Sequence, residues 1–204
     1  MHRGLGSAVH IAHLIIAEVV KEGGAAVDAT CGNGHDTLFL ARLVGARGKV
    51  YAFDIQEKAI STTRSLLEKE GLAQRVQLYQ TGHENMGAIV DVPVDAVIFN
   101  LGYLPGGDHT IVTRPESTLE SVRAALGILR PGGRLVAVAY TGHPGGAQEC
   151  ALVEEEVARL DSRIFRAVEV IFLNRGATAP KVIAVEKAGA RGETVEAKEN
   201  FRNN

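Results

Sequence analysis

Cysteine is scarce in this chain: Cys31 and Cys150 are its only two, far apart and without a CxxC pair. That spacing excludes a zinc site and a disulfide framework and points to a reducing cytosol. An excess of positive charge is also missing. The 22 Lys and Arg face 24 Asp and Glu, for a formal net charge of −2. Broad, sequence-blind binding to nucleic acid needs an extended basic surface and is excluded; a small structured RNA held by a few local Lys and Arg is not. No unbroken apolar run reaches membrane length, and the opening "MHRGLGSAVHIAHLIIAEVV" lacks a clear signal-peptide cleavage site. The expectation is a soluble cytoplasmic protein with no membrane partner and no metal. At 204 residues and 46% hydrophobic content, the chain is long enough for one core and short for two.

What is present is alternation. Apolar runs rich in Val, Ile and aromatics at 25–30, 49–54, 76–80, 94–100, 134–140, 167–173 and 181–187 read as seven strands. Helical spacing marks 7–21, 36–45, 56–70, 115–129 and 147–160. In the segment 56–70, Ala59, Ile60, Thr63, Leu66 and Leu67 form one apolar stripe. "RPGGR" (130–134) reads as a helix stop and turn before the fifth strand. Alternation predicts an α/β fold, a doubly wound and mostly parallel sheet with helices on both faces. Only "NRGATAP" separates the last two strands, so the final strand is expected to run antiparallel at one edge. A single domain over 1–187 follows, with 188–204 as a polar, flexible tail.

The stretch "VDATCGNGHDTLFLA" (27–41) carries the first chemical signal. A strand ends in Asp28, Gly32 and Gly34 form a tight turn, and a helix begins. Asp54 ends the second strand, where a carboxylate can accept hydrogen bonds from both ribose hydroxyls of an adenosine-type ligand. The dinucleotide pattern G-x-G-x-x-G would need a third glycine, and that position is Thr37. Asp28 suits an ammonium, so S-adenosylmethionine is favoured over a dinucleotide. Asp36 and Thr37 open the helix, where N–H groups can meet a carboxylate; helix capping is their alternative role. Thr30, Asn33, His35, Ile55 and Gln56 flank these positions. Gly82 and His83, after the third strand, are candidates for the adenine. Cys31 reads as a small spacer, because no activating base adjoins it. His13 shares a helical face with Val9 and Ile16 and reads first as a packed histidine.

The fourth strand runs into "FNLGYLPGGDH" (99–109). Ligands of open parallel sheets lie beyond the carboxyl ends of the strands, which places Asn100 and Tyr103 beside the cofactor. Asn-x-x-Tyr resembles the Asn-Pro-Pro-Tyr motif of methyltransferases that modify amino groups, with Leu101 and Gly102 in place of the prolines. In those enzymes the Asn side chain accepts hydrogen bonds from the amine and the aromatic ring stacks on the base.

Together, "DATCGNGHDTLFLA", "YAFDIQ", "FNLGYLPGGDH", "STLESVRAALGILRPGGRLVAVAYTGHPGG" and "FLNRGATAPKVIAVEK" resemble the YtqB/MnmM family, over residues 8 to 187. The resemblance implies a Rossmann-like class I methyltransferase fold, S-adenosylmethionine as cofactor and the anticodon stem-loop of tRNA as partner. It further implies transfer of a methyl group to the aminomethyl nitrogen of 5-aminomethyl-2-thiouridine at the wobble position. Asn100 and Tyr103 are then the catalytic candidates, with Asp108 and His109 able to orient the amine or relay its proton. Leu101, Gly102, Pro105, Tyr140 and His143 fall on the substrate rim, and Arg114, Arg175 and Lys181 are candidates for phosphate contacts. A homodimer is compatible with this reading. Ribosomal RNA or a small amine as acceptor, a nicotinamide-dependent oxidoreductase and a non-catalytic S-adenosylmethionine-binding module are the alternatives.

Overall fold

The computed structural model describes residues 5–102 and 113–189. Thirteen elements follow one another: α1 (Ala8–Ala17), β1 (Ala25–Asp28), α2 (His35–Leu43), β2 (Lys49–Asp54), α3 (Glu57–Lys69), β3 (Val76–Gln80), α4 (Met86–Ile89), β4 (Val94–Leu101), α5 (Pro115–Ile128), β5 (Leu129–Ala139), α6 (Gly146–Ala158), β6 (Phe165–Val170) and β7 (Lys181–Lys187). The seven strands form one sheet in the order β3-β2-β1-β4-β5-β7-β6. β1 pairs in parallel with β2 and β4, and β7 runs antiparallel to both β5 and β6. The expected antiparallel last strand is therefore present, inserted between β5 and the edge strand β6.

Period-2 alternation explains how the sheet is covered on both faces. Ala26, Ala96, Ile98, Val136 and Val182 face the side that carries α1, α2 and α3. Val27, Val97, Phe99, Leu135 and Ile183 face the other, with α4, α5 and α6. Each fully buried side chain of Phe or Leu size contributes about 1.5–3 kcal/mol, so these two layers dominate stability. On α3, Ala59, Ile60, Thr63 and Leu67 are buried as the stripe predicts, with Leu66 half-buried.

Three boundaries, at the end of α1, the start of β5 and the end of β6, differ most from the sequence reading. α1 starts on schedule, with Ser7 Oγ accepting from the His10 N–H, but stops at Ala17 instead of running to 21. Residues 130–133 do turn, with Gly132 at φ 76°, but inside β5: Val94 pairs with Leu129 and Ala96 with Arg134, which bulges the intervening residues. Arg130 holds that bulge by bonds to the Asp95 carboxylate and to the Val19 carbonyl. β6 covers Phe165–Val170 instead of 167–173, and the chain turns after it, where the Arg175 N–H donates to the Phe172 carbonyl at 3.2 Å. The short α4 was not anticipated; four residues are too few to display a period.

Candidate cofactor and acceptor site

The carboxyl ends of β1, β2 and β4 and the amino end of α2 meet at the glycine turn. The turn is closed by backbone bonds: the Cys31 N–H donates to the Phe53 carbonyl at 2.8 Å and the Gly34 N–H to the Cys31 carbonyl at 2.7 Å. Gly34 has φ 82°, a left-handed conformation that only glycine adopts cheaply. A Cβ there would stand 2.9 Å from Thr63 Oγ1 and 3.0 Å from Thr63 Cα. α3 thus braces the turn, and the Thr63 hydroxyl donates to the Gly32 carbonyl at 3.0 Å. Thr63 entered the sequence reading only as part of a buried stripe.

Three aspartates surround the turn. Asp28 is fully buried; its Oδ1 accepts from the Thr30 N–H at 3.2 Å and its Oδ2 from the Thr37 hydroxyl at 2.6 Å. Burial, with the Asp36 carboxylate as the next cause, pushes its pKa up to about 7. Asp28 and Thr37 therefore organise the turn from within. The capping role considered for Asp36 and Thr37 is not what they do, since the N-cap is Gly34 and no side chain caps the helix. Asp54 is half-buried; Oδ2 accepts from the Gly32 N–H at 3.0 Å and Oδ1 from the Gln56 N–H at 2.9 Å. Burial raises its pKa as well. Beside it, Ile55 is 57% exposed.

Asp36 sits at the centre. Its Oδ1 lies 2.6 Å from His13 Nε2, and its Oδ2 accepts from Asn100 Nδ2 at 2.5 Å. His13 is buried and stacks on Phe39 with ring centroids 3.7 Å apart. Its packed environment agrees with the first reading; its bond to Asp36 was not foreseen. Asn100 is further fixed by its backbone N–H, which donates to Thr30 Oγ1 at 2.8 Å. A buried polar residue on the apolar face of α1 was the sequence signal for this chain of contacts, but nothing local names its partner.

The remaining candidates divide. Leu101 and Gly102 continue β4 and its end, and Thr113 returns to donate its N–H to the Gly102 carbonyl at 3.0 Å. Tyr103, Pro105, Asp108 and His109 lie outside the described residues. Tyr140 follows β5, where burial and then the Asp36 charge push its phenol pKa up. His143 Nδ1 lies 3.0 Å from the Pro144 carbonyl, and its ring stands beside Gly102 and Gly146. His83 is turned inward, Nδ1 3.3 Å from the Ala29 carbonyl and edge-on to Phe99, and burial lowers its pKa. Gly82 and Asn33 are half-buried and His35 is exposed. Burial drives the Cys31 thiol far up, which suits a spacer and not a nucleophile. Arg114 is exposed at the start of α5. Arg175 is exposed, donates to the Gly6 carbonyl at 2.7 Å and lies over Phe172. Lys181 departs from expectation: it is held by Glu154 at 2.6 Å and Glu169 at 2.9 Å, so its ammonium is committed within the fold.

A buried glutamate that sequence reasoning missed anchors the neighbouring wall. Glu149, on α6, accepts from the hydroxyls of Thr118 at 2.6 Å and Thr113 at 2.7 Å. A cavity of about 400 Å³ lies at the opposite end of the sheet, between residues 90–93 and 127–131. Its one ammonium, Lys187, is spent on the carbonyls of Leu126, Gly127 and Leu129. Among the described residues no helix is long and apolar enough to cross a membrane, and no cluster of His, Cys, Asp and Glu is arranged to hold a metal.

Comparison with known proteins places this geometry in context. The family model described as "Putative rRNA methylase" matches residues 50–186. The tRNA (mnm(5)s(2)U34)-methyltransferase of the Arabidopsis thaliana chloroplast is 44% identical over 161 residues, 74% of this chain and 59% of that protein. The chain thus spans less than two thirds of that curated relative's length. A solved structure from Clostridium thermocellum described as a "putative rRNA-methylase" superposes with a TM-score of 0.88 at 43% identity, covering 90% of this chain and 99% of that one. A Streptococcus mutans "putative methyltransferase" in complex with SAH gives a TM-score of 0.83 at 37% identity, again over 90% and 99%.

Proposed function

Because the chain belongs to the "Putative rRNA methylase" family, we propose that it is an S-adenosylmethionine-dependent methyltransferase acting on RNA, with the aminomethyl nitrogen of 5-aminomethyl-2-thiouridine at tRNA position 34 as acceptor. The printed activity of the Arabidopsis relative supports the acceptor, and the bound SAH of the Streptococcus mutans structure supports the cofactor. The residues on the turn fit such a ligand. Each Asp54 oxygen already accepts one backbone N–H and keeps a second acceptor position for a ribose hydroxyl. Ile55 offers an exposed apolar surface to a purine face. The Asp28 and Asp36 carboxylates favour a positively charged amino acid group nearby, and the free N–H groups at the start of α2 favour its carboxylate.

When bound, the cofactor supplies an activated methyl group on a sulfonium. The protein's task is then alignment of an amine lone pair with that carbon. A free alkylamine is largely protonated near neutral pH, as Lys is, so the site must take the neutral form or remove a proton. Asn100 carries this reading: its amide nitrogen is committed to Asp36, which leaves the carbonyl oxygen to accept from the amine. To Tyr103 falls the stacking on the base, and to Asp108 and His109 the orientation of the amine or the acceptance of its proton. Leu101, Gly102, Pro105, Tyr140 and His143 form the acceptor rim, and Arg114 and Arg175 meet phosphates of an anticodon stem-loop.

The enzyme is assigned to the cytoplasm, residues 1–187 to one methyltransferase domain, and the assembly to a homodimer. The edge strand β6 supports the dimer, since its outer backbone edge can pair antiparallel with the same strand of a second copy. The test of function is mass spectrometry of nucleosides from tRNA that stops at 5-aminomethyl-2-thiouridine, incubated with protein and S-adenosylmethionine. A gain of one methyl at that nucleoside is expected. Absence of that gain with cofactor binding intact would refute this acceptor and favour ribosomal RNA or a free amine.

A further inference from the structure

We propose that Asp36 and His13 are positioning residues that lock the Asn100 carboxamide with its carbonyl oxygen toward the acceptor amine; this rests on the role given to Asn100 above. An ionised carboxylate only accepts hydrogen bonds, so the group facing Asp36 Oδ2 at 2.5 Å must be the Asn100 NH₂. The opposite rotamer would set two acceptors against each other. Without Asp36, a carboxamide turns over at little steric cost, because its oxygen and nitrogen are nearly the same size. Turned over, Asn100 would offer N–H donors to the lone pair that has to attack, in competition with the methyl carbon.

Asp36 is itself held from the other side. His13 Nε2 meets its Oδ1 at 2.6 Å, and the imidazole is clamped against Phe39 with the two ring planes 5° apart. Both oxygens of the carboxylate are therefore fixed, one by the buried His13 of α1 and the other by the half-buried Asn100 of β4. The carboxylate charge contributes to the raised pKa of the Tyr140 phenol, so Asp36 acts on the rim where the acceptor is placed. None of the three groups is needed for helix capping or for turn closure, which Gly34, Cys31 and Thr63 carry out.

The test combines spectroscopy with kinetics on the full chain. In ¹⁵N-labelled protein, the Asn100 side-chain amide pair, identified by its loss in Asn100→Ser, should be widely split and slow to exchange in the wild type. It should keep that signature in His13→Gln, which retains an N–H donor, and collapse toward free-amide values in Asp36→Ala. In turnover with S-adenosylmethionine and the 5-aminomethyl-2-thiouridine tRNA, Asp36→Ala should lower kcat about 10–100-fold, the usual cost of a misplaced reacting group. Its affinity for S-adenosylmethionine should fall several-fold less than kcat does, since the Asp36 charge also favours the cofactor's ammonium, and His13→Gln should retain most of kcat. An exposed-type Asn100 signal in the wild type, or wild-type kcat in Asp36→Ala, overturns the proposal. Parallel losses of cofactor affinity and kcat would mean a structural role and also overturn it. If the wild type leaves this tRNA unmethylated, the acceptor assignment fails, and the amide spectrum still decides whether Asp36 holds Asn100.

Discussion

Replacing Asp54 by alanine removes the carboxylate assigned to the ribose, and the structure sets the size of the effect. Two acceptor positions are spent on the Gly32 and Gln56 N–H groups, which leaves one on each oxygen for a hydroxyl. A hydrogen bond to a charged group is worth about 1.5–3 kcal/mol net, so losing two costs about 3–6 kcal/mol. At 1.4 kcal/mol per tenfold, cofactor affinity should fall about 10²–10⁴-fold. The fold should suffer less, because Asp54 is half-buried and water can replace it on both N–H groups. A loss of about 1–2 kcal/mol would lower Tm by roughly 2–8 °C in a chain of this length. Asp54→Asn should fall between, since its amide nitrogen must face one of the two N–H donors. Calorimetric titration with S-adenosylmethionine and a thermal melt measure both quantities. A folded Asp54→Ala protein that binds within fivefold of wild type would refute the ribose assignment.

Gly34→Ala should lower Tm by several degrees: the left-handed backbone costs about 1–2 kcal/mol and the new Cβ crowds Thr63. An unchanged melt would contradict the brace that α3 gives the turn. Glu149→Ala leaves the hydroxyls of Thr113 and Thr118 without their acceptor and should destabilise by about 2–4 kcal/mol in chemical denaturation, with Glu149→Gln milder. Asp28 titrates in the folded state at about 7 against an ordinary 3.8, so it stabilises the fold fully below pH 4 and loses that contribution as pH rises through 7. Asp28→Asn should therefore gain stability relative to wild type as pH climbs from 4 to 7; a constant difference across that range would show that Asp28 is not buried and protonatable as described.

The sheet was legible because its strands carry uninterrupted apolar runs, which only a doubly covered parallel sheet buries. Gly32 and Gly34 between β1 and α2 marked the turn, and Asp54 marked the next strand end. Less legible was anything made by packing across distance. His13 and Asp36 are 23 positions apart, Asp36 and Asn100 are 64 apart, and no spacing rule joins them. Lys181 reads from sequence as a phosphate contact from the ligand side, with solvated surface as its alternative; the two glutamates that take its ammonium sit on α6 and β6. The bulge at 130–133 misled in the same way, since Pro and Gly mark a turn equally well between elements and within a strand.

The charge distribution separates the two binding events, and salt should expose that separation. Asp28, Asp36 and Asp54 gather at one turn, while Arg114 and Arg175 lie exposed on the surrounding surface, all within a chain of net charge −2. Interactions among partly buried groups are little screened, so affinity for S-adenosylmethionine should change less than twofold or so between 50 and 200 mM salt. Phosphate contacts release counterions, with a slope in log K against log salt of about −0.7 per contact for single strands. Two arginine contacts then give a slope of about −1.4, shallow beside that of proteins that grip long duplexes. Arg114→Ala and Arg175→Ala should each reduce the slope by about 0.7 without altering cofactor affinity. A slope steeper than about −4 for the wild type would mean that RNA is held by a basic surface this fold does not supply from those two residues.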